Sequence, residues 1–174
     1  MSPKILSTLV YLIPAFAGAL FLMVCAQKNA LFALVALPGT LAHEVLHLVA
    51  GLLMFARPRN VSVIPQRTID GRYLLGVTTF ENVRWWNAAF VGLAPLAGYA
   101  IAYETAVFRL RADSQFSVWD IAIWYCLAQL LSASWPSSID WRLSLRSWPL
   151  LVFGAVAVWF NAASILEALT HLNL

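Results

Sequence analysis

The sequence predicts an all-α membrane protein, a single integral-membrane domain over residues 1–174 with about five transmembrane helices and a short β-hairpin at the cytoplasmic face. Composition predicts it first. Of 174 residues, 61% are hydrophobic and 11% charged, whereas a soluble domain runs nearer ~45–50% apolar and ~25% charged, so there is too little charge to cover a globule in water. The mean hydropathy of +0.77 and the five apolar runs of the chain match helices of ~20 residues crossing a bilayer. Finally, Trp85, Trp86, Trp119, Trp135, Trp141 and Trp148 stand at the ends of those runs, where amphipathic rings anchor to the membrane interface.

The first span is expected over residues 5–26. Lys4 ahead of an apolar core and the small residues Ala17-Gly18-Ala19 imitate a signal peptide, but the run continues through Leu20-Phe21-Leu22-Met23-Val24, beyond the ~7–15 residues of a signal core. A short turn at Gln27 to Asn29 leads into the second span, residues 30–56. The stretch from Arg57 to Arg84 then reads as extended: Val61-Ser62-Val63-Ile64 alternates, Asp70-Gly71 is a hairpin turn signal, and Tyr73 to Phe80 is rich in β-formers. A hairpin is expected over about residues 60–81. Three further spans follow at 85–108, 118–135 and 148–169, joined by loops at Arg109 to Ser117 and Pro136 to Ser147. Cys25 and Cys126 lie inside apolar runs without C-x-x-C spacing and read as small hydrophobes.

The net charge of +3 comes from basic residues scattered singly, with no stripe or cluster, which argues against a nucleic-acid partner. They read instead as topology signals. With the amino terminus inside, Lys4, Arg57, Arg59, Arg67, Arg72, Arg84, Arg142 and Arg146 fall on the cytoplasmic side, against Lys28, Arg109 and Arg111 outside. That bias puts the hairpin and the Pro136 to Ser147 loop in the cytoplasm. The small size and lack of a targeting sequence make a prokaryotic cytoplasmic (inner) membrane the expected location.

Within the second span runs His43-Glu44-Val45-Leu46-His47, an H-E-x-x-H pattern. Residues four apart share a helix face, so both imidazoles reach one ion, while Glu44 lies ~100° around, placed to take a proton from water at the metal's open position. A chain of this length shows the pattern by accident on the order of a few times in a thousand. Ionisable residues in the middle of an apolar span are costly there and usually mark function. The pattern therefore assigns two metal ligands, His43 and His47, and one base, Glu44.

Catalytic zinc usually takes three protein ligands and leaves one position open. Asp120, Asp140, Glu81, Glu104, Glu167 and His171 are the candidates for the third. His47 lies nine residues before the inner end of its span, a depth of ~13 Å, whereas Asp120, Glu104, Glu167 and His171 fall at outer ends. Asp140 sits on the inner side, after Pro136-Ser137-Ser138, where the missing proline amide breaks the helix and lets the chain bend inward. Its bland reading is an interfacial carboxylate paired with Arg142 or Arg146. Glu81 is on the same side, in the hairpin, and ranks second.

H-E-x-x-H in an apolar span, a β-segment after it, and an Asp beyond a proline break in a later span resemble the site-2 protease family of intramembrane zinc metalloproteases. The resemblance covers about Leu37 to Arg142, and Gly92-Leu93-Ala94-Pro95-Leu96-Ala97 is similar to the family's small-residue G-P-x-x-N segment but lacks its Asn. The Asp segment departs as well, since the family has Asp-Gly in an Asn- and Pro-rich stretch and Asp140 precedes Trp141. The resemblance implies a divergent zinc metalloendopeptidase that hydrolyses a peptide bond in or near a transmembrane segment of a membrane-protein or peptide substrate. His43, His47 and Asp140 would hold Zn²⁺, Glu44 would be the base, and Asn87, Ser134, Ser137 and Ser138 are candidates to stabilise the oxyanion. Two alternatives stand beside it: a membrane zinc peptidase of another class with a Glu third ligand, and a non-catalytic regulatory or assembly subunit whose polar triad is structural.

Overall fold

The fold is that of a computed structural model describing residues 3–25, 30–62, 66–67, 73–74, 76–112 and 115–171. It is mostly helical, with one small antiparallel sheet region. Helix α1 (Pro3–Cys25) packs against α5 (Ala97–Ala112) and α6 (Trp119–Ala133). Their shared core is Leu12, Ala15, Ala19, Ala102, Ala106, Leu127 and Leu131. Alanines at the crossing, and Gly18 facing the Ala128 methyl, let the helix backbones approach closely where larger residues would hold them apart.

Two of the five apolar runs are interrupted, both at prolines, and the Pro136 to Ser147 segment expected as a loop is largely helical instead. The second run divides into α2 (Ala30–Val35) and α3 (Leu37–Leu53), separated at Ala36 just before Pro38. The third becomes α4 (Ala88–Gly92), a 3-10 turn at Ala94–Leu96 containing Pro95, and α5. After α6 the chain breaks at Pro136 and restarts as α7 (Ser138–Ser144), which continues through a 3-10 turn, Leu145–Ser147, into α8 (Trp148–His171). A proline lacks the N–H that a helix interior requires and collides with the preceding turn, and averaged hydropathy does not see this. Among the described residues two helical stretches, Lys4–Cys25 and Ser138–Ala162, are long and apolar enough to cross a membrane, against the five expected, and α3 is a shorter apolar helix.

The hairpin forms where β-formers were dense. Strand β1 (Pro58–Ser62) pairs antiparallel with β4 (Val77–Phe80) in the register Asn60↔Thr79, Val61↔Thr78 and Ser62↔Val77, and β2 (Gln66–Arg67) pairs with β3 (Tyr73–Leu74). The Asp70-Gly71 turn and the Gln27 to Asn29 turn lie outside the described residues. Helix α3 ends in a Schellman motif, with Ala56 N–H on Gly51 O at 2.7 Å, Phe55 N–H on Leu52 O at 3.2 Å, and Phe55 left-handed at φ 54°. That reversal folds the hairpin back along α3. The Phe80 ring lies against Gly51, Thr78 reaches Glu44, and Gly76 sits beside Thr40 and Glu44. Positions 76, 78 and 80 share one strand face.

Candidate metal centre

His43 and His47 occupy successive turns of α3, with Nε2 atoms 3.1 Å apart. Asp140 arrives from the first turn of α7. There Ser137 and Asp140 form a capping box: Ser137 Oγ accepts from Asp140 N–H at 3.2 Å, and Asp140 Oδ2 accepts from Ser137 N–H at 2.7 Å. The cap fixes the carboxylate at the break after α6. Asp140 Oδ1 lies 3.2 Å from His47 Nε2, and Oδ2 lies 3.5 Å from His43 Nε2. Glu44 and His47 are buried, with His43 and Asp140 nearly so.

The far nitrogens of both rings are held by helix carbonyls that prolines and chain breaks have freed. His43 Nδ1 meets Ala133 O at 2.6 Å. That carbonyl would bond the N–H of Ser137 in a continuous helix, but Ser137 donates to Asp140 instead. His47 Nδ1 meets Val91 O at 2.8 Å, whose helical partner four residues on is Pro95, which has no N–H. Because a carbonyl only accepts, each Nδ1 carries the proton and each Nε2 of a neutral ring is left as a lone pair. Carbonyl support of this kind is the usual outer shell of metal-binding histidines. The freed carbonyls follow from Pro95 and Pro136, a signal present in the sequence but unread there.

A third proline sets α3 in place. The helical bond from Gly39 N–H to Val35 O is replaced by the Gln129 side chain of α6, whose Oε1 accepts from Gly39 N–H at 3.2 Å and whose Nε2 donates to Val35 O at 2.8 Å. One amide thus satisfies both groups orphaned at the Pro38 break, as a buried broken helix requires. A Cβ at Gly39 would lie 2.6 Å from the backbone oxygen of Gln129, so α3 and α6 meet here backbone to backbone. On the other side, a Cβ at Gly92 would lie 2.6 Å from Asp140 O, and this close approach lets α7 lie against α4.

The donor set fits a divalent cation. Two imidazole lone pairs and a carboxylate converge, with one ligand atom from each residue within 4.8 Å of the others. Ligands held 2.0–2.1 Å from a tetrahedral zinc stand about 3.3–3.4 Å apart, beside the 3.1, 3.2 and 3.5 Å found between these groups. Glu44 lies outside that group, and its carboxylate accepts from Thr78 Oγ1. Glu81 pairs with Arg59 at 3.4 Å on the exposed hairpin, and Asp120 is enclosed at the opposite end of α6. Glu104 is exposed, and the side chains of Glu167 and His171 lie outside the described residues. Three oxyanion candidates are engaged elsewhere: Asn87 bonds Met54 O, Asn82 O and Arg84 N–H, Ser134 bonds Leu130 O, and Ser137 caps α7.

A scan against protein-family models, a search of curated proteins and a search of solved structures return no match to the chain.

Proposed function

We propose that this protein is an intramembrane zinc metalloprotease, similar to the site-2 protease family, that hydrolyses a peptide bond in or near a transmembrane segment of its substrate. The observation that carries this reading is the convergence of two Nε2 lone pairs and the Asp140 carboxylate beside Glu44, with both Nδ1 protons committed to carbonyls. Three acceptors facing one another call for a cation, and among the described residues no Lys or Arg pairs with them. Membrane embedding of the whole bundle is supported by the apolar side chains it turns outward on α1, α3 and α8, among them Ile13, Leu20, Leu41, Leu53, Phe153 and Trp159.

In the proposed reaction, His43, His47 and Asp140 would hold Zn²⁺, which would supply the Lewis acidity that brings water to a pKa of ~7. Glu44 accepts the proton of the attacking water and hands it to the leaving amine. The carbonyls of Ala133 and Val91 keep both imidazoles in the ligating tautomer. A transmembrane substrate must unwind first, because a helix hides its amides. A hairpin edge that pairs with no other strand among the described residues would offer such a segment main-chain pairing. Removing the Asp70-Gly71 turn is then expected to impair cleavage.

The test is cleavage of a labelled transmembrane peptide by detergent-purified protein, read beside its zinc content. Glu44→Gln should keep zinc and lose about 10²–10⁴-fold in rate. Zinc retained in Asp140→Ala but lost in Glu81→Ala would favour the Glu-ligand peptidase class. A wild type without zinc would leave a structural triad in a non-catalytic subunit.

A further inference from the structure

We infer that strand β4 belongs to the catalytic site, with Thr78 as the positioning residue for the Glu44 carboxylate and Gly76 as the position that leaves that carboxylate its room. The inference rests on reading Glu44 as the proton acceptor and deepens it. A buried carboxylate needs a donor, and among the described residues the hydrogen bond Glu44 receives comes from Thr78 Oγ1, on a strand 34 residues further along the chain. Its other oxygen, Oε1, would stand 2.5 Å from a Cβ at Gly76, with Thr40 Cγ2 at 2.8 Å, so a side chain there would push the carboxylate aside. Both oxygens of the base are therefore governed by β4 and the glycine that precedes it.

Docking of the strand does not require this contact, because Phe80 already covers Gly51 on the same face. What the Thr78 hydroxyl adds is a fixed rotation of the carboxylate: Oε2 is occupied and Oε1 keeps its lone pairs for a proton. A base whose orientation is preset loses nothing to reorganisation when the proton moves.

Acetohydroxamic acid tests this without turnover, since a hydroxamate that chelates zinc also hydrogen-bonds the neighbouring base. Its affinity is measured by calorimetry on the zinc-loaded full chain in detergent, with zinc content determined in parallel. Thr78→Val is expected to weaken binding about tenfold at unchanged zinc content, and Thr78→Ser to restore it to within about twofold of wild type. Gly76→Ala should weaken it as well, and Thr78→Val should add nothing in a Glu44→Gln background. If Glu44→Gln weakens hydroxamate binding but Thr78→Val does not, this inference falls and the catalytic reading stands. If Glu44→Gln has no effect on the zinc-loaded protein, the reading of Glu44 as base falls and the inference with it. Should Thr78→Val not fold, Gly76→Ala decides, and wild-type affinity in that variant overturns the inference.

Discussion

The two ends of α6 each meet a buried aspartate, and the two are treated in opposite ways. Asp120 opens the helix and is closed off: Tyr11 OH donates at 2.6 Å, Arg109 Nε and Nη2 at 2.8 and 2.9 Å, and Ser117 N–H at 2.7 Å. The protein supplies its counter-charge from α5 and its last donor from α1, so the carboxylate ties three elements together. Asp140, just beyond the other end, faces two imidazoles whose Nδ1 protons are directed away from it. Among the described residues no guanidinium pairs with it. One aspartate is a finished staple, and the other belongs to a His-His-Asp group that could hold a metal ion.

Breaking the open end should have the largest effect on metal. His47→Ala or Asp140→Ala is expected to lower zinc affinity by more than ~100-fold, exceeding the ~10–100-fold typical of outer-shell changes, as read by competition with a chelator. Breaking the closed end should act on stability instead. Arg109→Met removes the counter-charge of Asp120 and leaves it the Tyr11 and Ser117 donors, which is expected to give a lower denaturation midpoint with zinc stoichiometry unchanged in the folded fraction. The smallest effect sharpens the link between the two ends. Gln129→Leu orphans Gly39 N–H and leaves Val35 O with the 3.4 Å bond from Tyr125 OH, and should cost about 1–3 kcal/mol of stability while loosening zinc through the tilt of α3.

How much of this could be read beforehand depends on the range over which each signal acts. The facing of His43 and His47 follows from four-residue spacing on a helix, and the bend that carries Asp140 follows from Pro136, so both were legible locally. The pairing of β1 with β4 followed from alternation and β-formers around Val61 and Thr78. Helix continuity was not legible from hydropathy, because Pro38 and Pro95 break the ladder without lowering the apolar average. Reading Pro95 and Pro136 as sources of free carbonyls would have pointed to Val91 and Ala133 as supports for the histidines. The hold of Thr78 on Glu44 and the bridging amide of Gln129 join residues 34 and 90 or more positions apart, and no local pattern announces such contacts. Asp120 was set aside on topology alone, and its enclosure by Tyr11 and Arg109 could not be seen from spacing.

The contrast between the two aspartates is tested most directly by zinc stoichiometry in detergent-purified wild type, Asp140→Asn and Asp120→Asn after dialysis against dilute zinc. The account predicts one zinc per chain in wild type and Asp120→Asn, and none held by Asp140→Asn. A wild type that holds no zinc, or an Asp140→Asn variant that keeps it as firmly as wild type, would contradict it.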